Sequence, residues 1–144
     1  MTPEARARRS ADALFESDAA SAHLGMQITQ IGPGMATLEM RVTAQMLNGH
    51  GICHGGYIFM LADSAFAFAC NSYNQVTVAQ QNQVTYVAPA RPDEILTASA
   101  VEVSKTGRSG IYDITVTGGD GRVIALMRGL SRTIKGQHFE EDDP

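Results

Sequence analysis

The sequence predicts a single α+β domain, built from one apolar helix and five or six strands. Twelve of the fourteen residues from Tyr57 to Cys70 are hydrophobic, which predicts a buried helix within Gly55–Ser72. Met35–Thr43 alternates apolar and polar residues, which is typical of a strand with one face in the core. A helix that is apolar on every side needs a sheet wrapped around it, and antiparallel strands can supply that sheet.

The other elements are predicted from periodicity and turn residues. The spacing of Ala11, Leu14 and Phe15 predicts an amphipathic N-terminal helix that ends near Gly25. Gly118–Gly121 predicts a hairpin turn between the last two strands. The remaining strands are predicted at Met26–Ile31, Val76–Ala88, Glu94–Ser104, Ile111–Thr117 and Arg122–Thr133. We therefore expect an N-terminal helix over residues 1–24, a domain over 25–135 and an acidic, flexible tail over 136–144.

The composition excludes several classes of protein. The 144 residues fit one domain, and the net charge of −4 comes from four acidic residues at 140–143, so the body of the chain is neutral. A neutral body argues against a nucleic-acid surface. The longest apolar runs are six residues, so we expect neither a signal peptide nor a membrane span. Cys53 and Cys70 do not form a disulfide framework, and we expect free thiols in the cytoplasm.

Asp63 and Ser64 are the only polar residues of the apolar helix segment from Tyr57 to Cys70. A carboxylate among aromatic and aliphatic side chains loses hydration, so it needs partners. One interpretation is structural, with Asp63 holding a loop or a backbone amide. The other is a functional carboxylate in a pocket with little water, because perturbed acids gather at active sites.

A glycine-rich segment, Asn48–Gly56, leads directly into this helix. The free N–H groups of the first turn and the helix dipole can stabilise the oxyanion of a thioester or ester carbonyl. Alternatively, the glycines only permit close packing. Gly55 and Asp63 are eight residues apart, which is about 12 Å along a helix. They cannot easily serve one carbonyl carbon together, so either one of them is idle or the site combines Gly55 of one chain with Asp63 of another. An active site shared across a dimer resolves the conflict.

Other chemistries find little support in the sequence. His50, Cys53 and His54 are too few ligands for a zinc site, and a Cys53–His54 nucleophile pair lacks a third orienting group. We expect no metal and no cofactor. Five basic residues are interpreted either as ordinary solvated charges or as a phosphate-binding rim: Lys105, Arg108, Arg128, Arg132 and Lys135.

Several of these residues together match a known family. The motif consists of Asn48, His54–Gly56 and Asp63–Ala65, followed by Val84–Ala90 and Gly110–Asp113. The chain resembles the hotdog-fold acyl-CoA thioesterases, in particular the phenylacetic-acid-degradation (PaaI) branch, from about residue 24 to 135. The resemblance implies a long central helix wrapped by a curved antiparallel sheet of five or six strands. It also implies dimers whose sheets join, paired into homotetramers.

The resemblance implies a role for each matching residue. Asp63 would be the general base or nucleophile, the Gly55 N–H would hold the carbonyl oxygen, and His54 and Asn48 would position the carbonyl or the water. The substrate-binding residues would be Ser64, Gly56, Tyr86, Pro89, Lys105, Thr106, Gly107, Arg108, Ser109 and Arg132. Related members have a serine where this chain has Ala79, which leaves water placement to Ser64, Asn48 or a backbone group.

The implied function is hydrolysis of an acyl-CoA, the protein's small-molecule partner. Phenylacetyl-CoA or hydroxyphenylacetyl-CoA is the expected substrate, together with medium-chain acyl-CoA esters. Two alternatives remain at this point: a hotdog hydratase or dehydratase, and a non-catalytic acyl-CoA-binding module. Release of free CoA distinguishes a thioesterase from both.

Overall fold

A computed structural model of the chain describes residues 1–141, and Asp142, Asp143 and Pro144 lie outside the described residues. The helices are α1 (Pro3–Glu16), α2 (Ala19–His23) and α3 (Gly55–Cys70), with a short 3-10 turn at Ala44–Met46. The strands are β1 (Gln27–Gly32), β2 (Met35–Arg41), β3 (Thr77–Tyr86), β4 (Ile95–Thr106), β5 (Ser109–Thr117) and β6 (Val123–Thr133). None of the helices in this part of the chain has the length and apolar character needed to span a lipid bilayer.

The six strands form one antiparallel sheet in the order β1-β2-β4-β5-β6-β3. The predicted α+β class is confirmed, and β5 and β6 pair across the Gly118–Gly121 turn as expected. β1 and β3 are the edge strands, and α1 packs against β1. Within residues 1–141 the outer edge of β3 has no partner strand.

α3 lies on the inner face of the sheet and forms the centre of the core. Alternate residues of β2 are buried, as the period-two pattern predicted, and Leu38 is fully buried. Phe66 of α3 packs on Tyr112 of β5, with ring centroids 5.5 Å apart. Gly129 of β6 leaves the space for this contact, because a Cβ there would lie 2.8 Å from the Phe66 ring.

The N-terminal segment differs from the single helix that the sequence predicted. It forms two helices, because the chain breaks at Ser17 and Asp18 before α2 begins. Oδ1 of Asp18 accepts a hydrogen bond from the backbone N–H of Ser21 at 3.0 Å. Short polar side chains of this kind favour helix caps over helix interiors. The apolar periodicity of Ala11, Leu14 and Phe15 was therefore real, but it belongs to α1 alone.

The described part of the predicted tail, residues 136–141, contacts α1 and Asn74. Asn74 Oδ1 accepts hydrogen bonds from the backbone N–H groups of His138 and Phe139, at 2.9 and 3.2 Å. The Arg9 guanidinium lies 4.1 Å from the centre of the Phe139 ring. Arg6 forms a salt bridge with Glu141 at 2.6 Å. Two basic residues of α1 therefore contact the described part of the tail.

Candidate active site

The loop before α3 is held by the side chain of Asn48. Its Oδ1 accepts hydrogen bonds from the backbone N–H groups of His50 and Ile52, at 2.9 and 3.4 Å. Gly51 has φ +75°, a left-handed conformation that favours glycine and allows the chain to turn. The amide NH₂ of Asn48 donates no hydrogen bond to any residue of the described chain, so it remains a free donor in the loop that precedes α3.

The first turn of α3 presents one free backbone N–H. His54 is the N-cap, and its Nδ1 accepts a hydrogen bond from the Gly56 N–H at 2.9 Å. Within residues 1–141 the Gly55 N–H has no acceptor, so it is available to a ligand oxygen. Because Nδ1 of His54 accepts, the proton of the neutral ring is on Nε2, a second possible donor.

A cavity of about 440 Å³ opens in front of this turn. It is lined by Asn48, Gly55, Ile58, Tyr86 and Pro89, among others. The Tyr86 hydroxyl donates to the Gly55 carbonyl at 3.0 Å and so fixes the strand end against the helix start. This Gly55 cavity therefore has apolar walls together with two residues that carry a free donor, Gly55 and Asn48, which suits a polarised carbonyl group.

Asp63 lies two turns further along α3, in a different cavity of about 330 Å³. This Asp63 cavity is mostly apolar, with Leu14, Phe66 and Ala79 among its lining residues. Burial raises the pKa of the Asp63 carboxyl above its ordinary value, while a hydrogen bond from Asn82 acts in the opposite direction. The Asn82 Nδ2 donates to Asp63 Oδ1 at 2.9 Å.

The two cavities have no lining residue in common. This agrees with the separation of about 12 Å that the helical rise gives for Gly55 and Asp63. A base or nucleophile must lie about 3–3.5 Å from the carbon it attacks. Within one chain, therefore, the free N–H and the carboxylate cannot act on the same carbonyl.

The comparisons with known proteins place the chain in a family. Residues 50–125 match the thioesterase superfamily. The chain is 41% identical to the acyl-coenzyme A thioesterase PaaI of Escherichia coli over 131 residues, 91% of this chain and 94% of that protein. The chain belongs to the thioesterase superfamily. A solved structure of E. coli PaaI superposes with a TM-score of 0.93 and 40% identity, covering 94% of this chain and 99% of that one.

Another relative of this thioesterase carries a related name at lower identity. The human protein named acyl-coenzyme A thioesterase 13 is 30% identical over 105 residues, 70% of this chain and 74% of that protein. The resemblance that the motif indicated is thereby confirmed, as is the hotdog fold with its central helix and six-stranded sheet. The chain is a thioester hydrolase.

Two predicted binding residues have other contacts in the thioesterase chain. Ser64 Oγ lies 2.8 Å from Ser21 Oγ, which donates to Asp18 Oδ2 at 2.6 Å. Ser64 therefore joins α3 to α2 and does not line the Asp63 cavity. The Gly56 N–H is occupied by His54, which leaves Gly55 as the free donor of this turn.

The predicted CoA-binding residues fall into two groups. Tyr86 and Pro89 line the Gly55 cavity. The second group forms the exposed turn between β4 and β5: Lys105, Thr106, Gly107, Arg108 and Ser109. Arg132 pairs with Ser109 on one side and with Val78 of the Asp63 cavity on the other. The structure therefore brings this second group near the Asp63 cavity of its own chain and away from the Gly55 cavity.

Two other chemistries can be assessed from the described residues. Burial raises the pKa of Cys53 to about 11 and that of Cys70 to about 12, so both are thiols and not thiolates at neutral pH. A Cys53–His54 nucleophile pair therefore has no support. Across residues 1–141 no group of three His, Cys, Asp or Glu side chains is placed to hold a metal ion.

Asn82 is the site residue that the sequence did not reveal. It stands in a run of four amides, Gln80 to Gln83, that predicts a solvated strand. The register of β3 with β6 shifts between Ala79 and Gln81, and this bulge determines which amide points inward. The sequence around Ala79 and Gln81 does not indicate a bulge. Asn82 can therefore be recognised as the amide beside Asp63 only from the structure.

Proposed function

We propose that this thioesterase hydrolyses arylacetyl-CoA esters, with phenylacetyl- or hydroxyphenylacetyl-CoA preferred and medium-chain acyl-CoA as weaker substrates. The active site is built from two chains, with Gly55 from one subunit and Asp63 from its partner. The observation that carries the proposal is the separation of a free N–H and a half-buried carboxylate into two cavities of one chain. In the overall reaction the thioester C–S bond breaks and one water is consumed, which supplies a hydroxyl to the acyl group and a proton to the CoA thiolate, so that free acid and CoA leave.

The oxyanion is stabilised at the Gly55 cavity. The Gly55 N–H and the positive end of α3 would face the carbonyl oxygen; Asn48, whose NH₂ is free, lines the same cavity, and Nε2 of the N-cap His54 would be a further donor. These groups are fixed by their own hydrogen bonds, so little reorganisation is needed when negative charge develops. This supports acyl transfer chemistry.

Asp63 supplies the carboxylate that attacks the carbonyl carbon or takes a proton from the attacking water. Burial raises its pKa, which makes the ionised form a stronger base. The surrounding cavity is apolar enough to hold an aryl or alkyl group next to the reacting carbon. Ala79 brings no hydroxyl to this cavity, so water placement falls to other groups.

A homodimer can bring the two cavities together through β3. This strand is a sheet edge, and its side chains Val78 and Tyr86 are 43% and 49% exposed. Edge strands with unpaired backbone groups readily add a second strand, and a second copy of this chain is the natural partner. The family resemblance further suggests that dimers pair into homotetramers.

CoA would cross between the subunits. Its pantetheine arm would pass Tyr86 and Pro89 at the Gly55 cavity, and its nucleotide would meet the turn of residues 105–109 and Arg132. Two buried free cysteines fit a reducing cytoplasm, where we expect the protein to act.

The test is release of free CoA from a panel of phenylacetyl-, hydroxyphenylacetyl-, benzoyl- and straight-chain acyl-CoA esters. Wild-type protein is compared with Asp63→Asn, which keeps the size of the side chain and removes its charge. We expect the arylacetyl esters to rank first and the variant to lose activity on every ester. An active Asp63→Asn variant would exclude Asp63, and a straight-chain preference would overturn the proposed specificity.

A further inference from the structure

Asn82 makes one strong polar contact and leaves its other polar atom without any. Its Nδ2 donates to Asp63 Oδ1 at 2.9 Å. Its Oδ1 is buried and has no hydrogen-bond partner among residues 1–141. A buried carbonyl without a partner is unfavourable, because its hydration is lost without replacement. Turning the amide around would satisfy nothing, since it would place a carbonyl oxygen against a carboxylate.

Two features of the sheet direct this side chain at Asp63. The bulge of β3 between Ala79 and Gln81 sets the face on which Asn82 lies. Directly opposite on β6 is Gly129, where a Cβ would come within 3.0 Å of Asn82 Oδ1. Three features therefore accompany the hydrogen bond from Asn82 to Asp63: the bulge in β3, the glycine at position 129 and the unpaired carbonyl of Asn82.

We propose that Asn82 is the positioning residue of the active-site carboxylate: its NH₂ holds Oδ1 of Asp63 and leaves Oδ2 free for the reaction. Oδ2 accepts no hydrogen bond from any residue of the described chain, and Asp63 lines its cavity. This inference rests on the proposed role of Asp63. Asn82 supplies the polar contact to Asp63 that Ala79, which lines the same cavity, cannot make.

The contact also opposes the effect of burial on the charge of Asp63. Burial favours the protonated form, whereas a donor to the carboxylate favours the ionised form. Three other titratable groups line the same cavity: Asp18, Cys70 and His138. Burial raises the pKa of Cys70 to about 12 and lowers that of His138, so both are neutral at neutral pH. Neither supplies a positive charge, which leaves the Asn82 N–H as the group that favours ionised Asp63.

Asn82→Leu tests the proposal, because leucine has a similar volume and no donor. We expect kcat on the acid limb of its pH profile to fall about tenfold and KM to change little. The acid limb of the kcat–pH profile should move up by about one pH unit, so that raising the pH restores part of the rate. Gln30→Leu is the control: a comparable amide-to-leucine change at an exposed position of β1, the opposite edge strand. Its profile should equal that of wild type.

Asn82→Asp serves as a second variant, since it is isosteric and does not depend on how leucine packs. Two carboxyl groups at this distance share a proton, so its acid limb should move up further than that of Asn82→Leu. A rate loss with an unshifted acid limb in both variants would mean a merely structural role and would overturn the inference. Failure of the proposed function is separate, because in that case Asp63→Asn itself would remain active.

Discussion

The first turn of α3 and its middle hold their functional groups in opposite ways. At the first turn, Gly55, His54 and Asn48 are close in sequence, and the side-chain hydrogen bonds of Asn48 and His54 span four residues or fewer; the Tyr86 hydroxyl adds one distant contact, to the Gly55 carbonyl. In the middle, Asp63 depends on Asn82, nineteen residues away, and on a cavity that combines α1, β3 and the tail. A short segment of sequence can thus orient most of a donor site, whereas a carboxylate with a raised pKa depends on residues from several distant elements.

The largest expected effect comes from the middle of the helix. Asp63→Asn should reduce kcat by about 10²- to 10⁴-fold, the usual contribution of a general base. It should also raise Tm at pH 7, because folding raises the pKa of Asp63 and its charged form is therefore unfavourable in the folded state. That gain in Tm should shrink as the pH falls towards the ordinary pKa of the carboxyl, because the side chain at position 63 is then uncharged in both proteins. Thermal melts at several pH values measure it, and a variant less stable than wild type at pH 7 would favour a structural role.

At the first turn, Gly55→Pro removes the free N–H and adds side-chain carbon atoms beside the Tyr86 ring. Proline is favoured at the first position of a helix, and His54 already has the extended backbone, φ −60° and ψ 134°, that a residue before proline requires. We expect a loss of about 10²- to 10³-fold in kcat, as for one oxyanion donor. Gly55→Ala is the control, because its Cβ also meets the Tyr86 ring at 3.0 Å but it keeps the N–H. Equal losses in both variants would assign the effect to crowding.

A smaller effect is expected at Gly129, which leaves space for the Phe66 ring and the Asn82 side chain. The Cβ of Gly129→Ala would lie 2.8 Å from the Phe66 ring and 3.0 Å from Asn82 Oδ1. We expect a loss of about 1–3 kcal/mol in the free energy of unfolding, as for other overpacked cores, together with reduced activity. Gly119→Ala, which has open space around it, should leave both unchanged. Urea unfolding and CoA release measure the two effects on the same samples.

The smallest effect is expected at Ser64, which joins α3 to α2. Ser64→Ala breaks the 2.8 Å contact with Ser21 and should cost about 1 kcal/mol of stability. KM for acyl-CoA should stay as in wild type, because Ser64 does not line the Asp63 cavity. A large rise in KM with unchanged stability would instead restore the substrate-binding role that the motif implied.

The same contrast explains what the sequence could predict. Short-range patterns identified all six strands, the buried helix and the Gly118–Gly121 hairpin, because periodicity and turn residues act locally. The donors at Gly55 were found in the same way. Asn82 was not found, because a bulge and the facing Gly129 decide its direction. The break at Asp18 was missed, since its capping contact interrupts an otherwise continuous apolar spacing.

Ser64 shows the limit of inference from a motif. It follows Asp63 directly in the sequence, yet adjacent helical residues point in different directions, and Ser64 faces α2. The contacts of Arg6 with Glu141 and of Arg9 with Phe139 are likewise not evident from an acidic composition.

Subunit complementation tests whether Gly55 and Asp63 act together only across a dimer. Asp63→Asn and Gly55→Pro chains, each inactive alone, are co-expressed in equal amounts. Random pairing gives mixed dimers in half of the assemblies, each with one intact site of two, so the account predicts about a quarter of wild-type CoA release. Mixed dimers that are present by native mass spectrometry but no more active than the separate variants would contradict it.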